Sequence, residues 1–215
     1  MLAVLSRGHA EVAAEGEHMW LVHAGNRVDA HDRARARFPR QQVAVVEQRM
    51  RALLSELQPA GVVSAAAAGA DLLLLDQCSR LGLSYRVVLP LPVSDFRARS
   101  VADQGQAWVE RFDRLVCAPL VTVIDLSQDP AWYLAGNDVI LDHAAREMAC
   151  GDQAEPHPGT TPGSPAPAGA TEELVALVTA PAWDTDSATA DFATKAAARG
   201  LTVLRIDPSP AGDPA

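Results

Sequence analysis

Lysine is almost missing from this chain. Of its 18 basic residues only Lys195 is a lysine, the rest being arginine, and they face 27 acidic residues for a net charge of −9. That balance offers no surface for neutralising phosphates in bulk, so general DNA or RNA binding is not expected. Cysteine is scarce too. Cys78, Cys117 and Cys150 are an odd number with no C-x-x-C pair and no Cys/His cluster. A disulfide framework and a zinc site are therefore excluded, leaving reduced core thiols. No apolar run approaches the roughly 20 residues of a membrane span. The stretch "MLAVLSRGHAEVAAEGEH" has only a short apolar start and then acids and histidines, unlike a secretory leader, so a cytoplasmic location without membrane partners is expected. The G-x-G-x-x-G, G-x-x-x-x-G-K-[ST] and G-x-S-x-G signatures are all absent, and the six histidines do not pair at metal-ligand spacing. No metal and no tightly held cofactor is expected, and His143 is read as a structural histidine beside an apolar helix face.

What is present is a regular alternation. Apolar runs bounded by turn residues lie at 19–24, 61–65, 84–89, 120–126, 174–179 and 201–206. They are too short for helices and lack clean alternation, which suits strands covered on both faces. Helical periodicity fills the intervals at 40–58 (behind Pro39), 70–81, 100–115, 131–149 and 188–199, with Gly82 and Gly200 as C-terminal stops. This order predicts a Rossmann-like α/β fold: a doubly wound, mainly parallel sheet of about six strands with right-handed crossovers. Residues 18–207 are expected to form one domain. Within it, the Pro/Gly-rich 151–171 is expected to be a flexible insertion, and 1–17 and 208–215 disordered ends.

Ligands of such sheets lie beyond the carboxyl ends of the strands, so four loops carry the candidates. After the first strand, Gly25 permits a sharp turn, and Asn26, Arg27, Asp29 and the series Arg33, Arg35, Arg37 bring polar groups and positive charge. A solvated surface loop accounts for the later arginines equally well. The second loop, "SAAAAGAD", runs from Ser64 and Ala65 to Gly69 and Asp71. Either its small residues fill tight packing, or backbone must approach a ligand there, with free amides of the following helix facing an anion. Composition does not decide between these. Asp71 suits a first helical turn. In the third loop Pro90 stiffens the exit, Ser94 or Asp95 offers a cap, and Arg99 with Ser100 offers a cation and a hydroxyl. In the fourth, Trp183 can stack on a ring and Ser187 or Thr189 can open the last helix. Asp184, Asp186 and Asp191 are read as caps and solvated acids rather than a metal cluster.

Taken in order, "AGNRVDA…RARFP", "SAAAAGADLLLLDQCSRLGLSYRVVLPLPVSDFRARSV" and "WDTDSATADF" resemble blocks of the SLOG superfamily. These are Rossmann-like domains related to the DNA-processing Smf/DprA proteins and the LOG cytokinin-activating enzymes. The resemblance spans about residues 20–206. It implies a pocket for nucleotides or nucleotide-derived ligands over the strand ends, matching Gly25, Asn26 and Asp29, then Ser64, Ala65, Gly69 and Asp71. Pro90, Phe96, Ser100 and Val101 match the third block, and Thr189, Ala190 and Asp191 the fourth. The sequence departs from the pattern at Asn26, where histidine is usual, at Val63, where glycine is usual, and at Ser187–Ala188, which replaces a Gly-Gly pair. The Pro-Gly-Gly-x-Gly-Thr-x-x-Glu motif of the LOG hydrolases is absent.

The expected function is non-catalytic binding, as sensor or carrier, of a nucleotide-derived small molecule, by a chain free to form a homodimer. An N-glycosidic hydrolase of nucleoside monophosphates, with Asp71 or Asp191 and Arg99, is the enzymatic alternative. A degenerate domain kept for protein–protein contact is the third.

Overall fold

A computed structural model describes residues 18–30, 33–117, 120–150 and 172–209. Six strands form one sheet: β1 (His18–Gly25), β2 (Gly61–Ser64), β3 (Tyr85–Leu89), β4 (Val121–Val123), β5 (Glu172–Thr179) and β6 (Thr202–Ile206). Their order is β4-β3-β2-β1-β5-β6, and every neighbouring pair is parallel. The helices are α1 (Val43–Leu57), α2 (Ala70–Leu81), α3 (Val93–Ser100), α4 (Gln106–Leu115), α5 (Trp132–Cys150) and α6 (Ala188–Ala198). This is the Rossmann-like α/β fold that the alternation predicts.

Side chains of a strand point alternately to its two faces, and here both faces are apolar. Leu21, Val62, Val87, Val175 and Leu177 pack with α1, α2 and α4 through Val46, Met50, Leu54, Leu72 and Phe112. Trp20, Val22, Val63, Val88, Ala176 and Val178 turn the other way, onto Ile140, Leu141 and Ala144 of α5 and Phe192 and Ala196 of α6. Winding thus changes face between β1 and β5, and the crevice of the sheet opens above their carboxyl ends. Helix α2 is buried over nine consecutive residues, Ala70–Cys78.

Three local expectations are corrected. Residues 93–100 form a helix rather than a loop with a cap. Its N-cap position is Pro92, no side chain caps it, and Ser94 Oγ instead donates to Asp95 Oδ1 at 3.3 Å. Gly105, at φ +102°, separates a short 3-10 turn from α4, so the helix expected from 100 begins at 106. Only Cys78 is a core thiol, since Cys117 and Cys150 are exposed, all three being free. The expectations for 1–17 and 151–171 lie outside the described residues, as does all of 208–215 except Pro208 and Ser209.

Candidate functional site

Beneath the crevice is a polar cluster that the apolar run "MWLVHA" hid. The His23 imidazole, wholly buried, bridges three strands: Nδ1 is 3.1 Å from Ser64 Oγ and Nε2 is 3.1 Å from Thr179 Oγ1. Asp71 of α2 brings Oδ1 to 3.4 Å from Nδ1. A neutral imidazole has one donor and one acceptor nitrogen. The carboxyl beside Nδ1 assigns the hydrogen there, so Nε2 accepts from the Thr179 hydroxyl. Burial lowers the imidazole to about 3 and raises the Asp71 carboxyl to about 7, against the pull of two backbone amides. Asp, His and Thr are thus aligned as in a nucleophilic triad. Yet His23, Ser64 and Thr179 have no exposed surface, and so weakly basic an imidazole is a poor proton acceptor. The cluster fastens β1, β2, β5 and α2 together.

The loop after β2 answers the packing question. Gly69 adopts φ +144°, and a Cβ there would meet Asn26 O at 2.6 Å and Arg27 Cα at 2.7 Å. What comes close to this backbone is the chain's own first loop. Val28 N donates to Ala68 O at 3.1 Å, and Ala70 N to Asn26 O at 3.1 Å. The Asp71 carboxylate accepts from Ala67 N and Gly25 N at 3.2 and 3.1 Å, while Ala68 N donates to Ser100 O at 2.9 Å. The Ala67, Ala68 and Ala70 amides are therefore taken within the chain, and the Asp71 carboxyl oxygens occupy this helix end. Gly25 is needed for the same approach, since a Cβ would lie 2.2 Å from Ala70 Cβ.

The expected site residues divide accordingly. Gly25, Ser64, Ala65, Gly69 and Asp71 belong to this fastening, and Ser100 is tied to it. Pro90 is buried against Gly136, whose Cβ position is 3.0 Å away, and Thr189 is buried in α6. Arg99 is exposed on α3, while Arg27 pairs with Asp103. Asp29 closes the first loop: its backbone N donates to Phe38 O at 2.9 Å, and its Oδ2 accepts from Phe38 N at 2.7 Å. Burial raises its pKa in spite of that amide and of Arg33, 3.1 Å away. A recess of about 170 Å³ beside it, lined by Asp29, Arg33, Pro39, Arg40 and Gln41, is smaller than the roughly 300 Å³ where small-molecule sites begin.

Asn26, Trp183, Asp184 and Ser187 do converge, at the mouth between β1 and β5. Asn26 N donates to Thr179 O at 2.9 Å, and its Nδ2 donates to Asp184 Oδ2, also at 2.9 Å. Ser187 Oγ donates to the same oxygen at 2.6 Å and accepts from Ala190 N at 3.1 Å, capping α6. Asp184, read from sequence as a cap or a solvated acid, is instead 3 % exposed. Its Oδ1 has Arg37 Nε at 3.0 Å as an ion pair, without the alignment of a hydrogen bond. Arg37 also pairs with exposed Asp186. Arg35 lays its guanidinium 3.6 Å from the centroid of the Trp183 ring. Asp191 lies apart, holding Asn137 and Lys195 at 2.8 and 3.0 Å. Among the described residues no three His, Cys, Asp or Glu side chains gather as a metal would require. The two arginines were noticed in sequence only as a charged series. Their partners lie some 150 residues away, and nothing local signals the pairing.

Fold and crevice together define an open, doubly wound Rossmann-like domain with a polar mouth at its topological switch point. Among solved structures it is similar to the X-ray structure of DNA processing protein A (DprA) from Streptococcus pneumoniae. The TM-score is 0.55 at 16 % identity, over 92 % of this chain and 55 % of that one. The chain thus spans about half the length of that protein and is DprA-like in fold. No protein-family model matches the chain, and no curated protein does. The expectation of no nucleic-acid partner is corrected by this likeness. A protein named for processing DNA carries this fold, so a net charge of −9 does not exclude such partners. No helix among the described residues is long and apolar enough to cross a membrane.

Proposed function

We propose that this chain binds a nucleotide-derived small molecule, without transforming it, in the crevice between the loops that follow β1 and β5. One observation carries the reading. Asp184 is a carboxylate buried at a switch point, with one oxygen doubly hydrogen-bonded and the other lacking a hydrogen bond. That oxygen's partner is the Arg37 guanidinium, an ion pair at 3.0 Å without the alignment of a hydrogen bond, which a better-directed donor on a ligand would replace. The adjacent Trp183 offers a ring face, and Arg35, Arg37 and the Ser187 hydroxyl offer groups for a phosphate. The SLOG resemblance of the loops supports the same ligand class.

Less supports the hydrolase alternative, since Asp71 is held by the Gly25 and Ala67 amides, Asp191 by Asn137 and Lys195, and Arg99 stands exposed on α3. Thermal unfolding with a panel of nucleoside mono- and diphosphates tests the proposal. A ligand at a hundredfold excess over its Kd should stabilise the chain by about 2.7 kcal/mol, and Asp184→Asn should reduce the shift. A panel that leaves the wild-type melting curve unmoved would favour the interaction-domain reading instead.

A further inference from the structure

Arg35 and Arg37 fill the mouth with two planar cations from the chain itself. One guanidinium carbon stands over the Trp183 indole, 3.6 Å from its centroid, and the next arginine but one brings Nε to 3.0 Å from the buried Asp184 Oδ1. A flat group on the ring and an N–H donor at the adjacent carboxylate are together what a single bicyclic base would supply. Guanine contains this fragment in covalent form. Its N1–H and N2 amine are the two adjacent donors of a guanidine-like edge, close enough together to share one carboxylate oxygen. Adenine presents one donor and a bare ring acceptor along the corresponding edge, and a carboxylate facing that acceptor is repelled. Asp184 Oδ2 is occupied by Asn26 and Ser187, so both donors of the guanine edge converge on Oδ1, whose two lone pairs accept N1–H and the N2 amine together.

We infer that the mouth selects a guanine base, and that residues 33–38 are a strap whose arginines stand in for that base until it arrives. This rests on the binding reading above and narrows it. The strap is tethered for such an exchange. Phe38, with no exposed surface, anchors its end beside the Asp29 closure, whereas Arg33, Ala34, Arg35 and Ala36 are exposed. On displacement Arg35 leaves the indole, and Arg37 turns from Asp184 while its second partner Asp186 remains in solvent, 80 % exposed. Both cations are then beside the ligand, free for its phosphate if it carries one. Competition with the strap weakens binding of the base by the fraction of time the mouth is self-occupied.

Guanosine and adenosine are the probes, since neither carries a phosphate that Arg35 could assist. Isothermal titration of the full chain should give guanosine a Kd at least tenfold lower than adenosine. Arg35→Ala should tighten guanosine about fivefold by removing the competitor. Asp184→Asn should erase the preference, with its melting curve without ligand recorded to establish that it folds. Equal affinity for the two nucleosides, or an Arg35→Ala variant that binds guanosine more weakly, overturns the guanine assignment and leaves nucleotide binding standing. No binding of either nucleoside, and none of any nucleotide in the panel, overturns both.

Discussion

Asp71→Asn should make stability fall more steeply on acidification than it does in the wild type. His23 has an ordinary value of 6.5 and a folded value of about 3, because burial disfavours its charged form. The unfolded chain takes the proton first, so the stability from neutral His23 is whole above pH 6.5 and is lost as pH falls toward 3. At 1.36 kcal/mol per pH unit the full loss is on the order of 5 kcal/mol. Asp71 runs the other way. Its folded value of about 7 lies above the unfolded 3.8, so stability is greatest below 3.8 and is lost as pH rises through 7. That change is on the order of 4 kcal/mol. Between pH 4.5 and 6.5 the two slopes are opposite and similar, and they cancel in the wild type. Asp71→Asn leaves the His23 slope alone, a loss of about 3 kcal/mol across those two pH units relative to wild type. His23→Gln leaves the Asp71 slope alone, a gain of similar size as the solution is acidified. Urea unfolding followed by tryptophan fluorescence at half-unit pH steps measures both, each compared with wild type so that other carboxylates drop out. Parallel curves for the three proteins would refute the opposed titration, whatever their absolute stabilities.

Gly69→Ala combines a positive φ with backbone atoms under 3 Å from the new Cβ. It should cost about 3 kcal/mol, a fall in Tm of roughly 6–12 °C by calorimetry. Asp76, wholly buried, faces Arg80, Arg111 and Arg114 at 3.1, 3.7 and 3.0 Å. Asp76→Ala should destabilise by only about 1–2 kcal/mol in urea, since it removes hydrogen bonds from Arg80 and Arg114, which are more than half exposed and rehydrate, while Arg111 keeps Glu47; a loss above about 4 kcal/mol would contradict that. A maleimide should label Cys117 and Cys150 in the native protein and spare Cys78, whose thiol burial pushes up; mass spectrometry showing three adducts before unfolding would contradict that packing.

The architecture was legible because burial on both sides of a parallel strand writes an unbroken apolar run, and six such runs are present. Helix α3 escaped because only Phe96 and Ser100 of its eight residues are buried, too few for periodicity to register. The small residues 65–69 were visible but ambiguous, since close backbone approach leaves the same composition whether the neighbour is a ligand or the chain's own Asn26–Val28 segment. Asn26, Trp183, Asp184 and Ser187 could be placed at strand ends by topology alone. His23 could not be singled out, because a histidine within an apolar run satisfies its polar atoms through partners 41 and 156 residues away. Arg35 and Arg37 were visible as charge, while what they touch is fixed only when β5 joins β1.

Helix α2, buried over its first nine residues, also has a consequence in time. It packs between α1 and α4, and α4 is completed only at Leu115. At roughly 5–20 residues per second, synthesis leaves Leu72–Leu75 without that cover for about 2–7 s after α2 is made. The sheet waits longer. β1 is translated well before β5, its neighbour in the sheet, which ends at Thr179. Until then β1 presents an open edge, and α6, which packs on β1 and β5, is complete only at Ala198. The topology that places the crevice at the centre of the sheet therefore also leaves its two halves to be joined last, across the strand pair on which the candidate site is built.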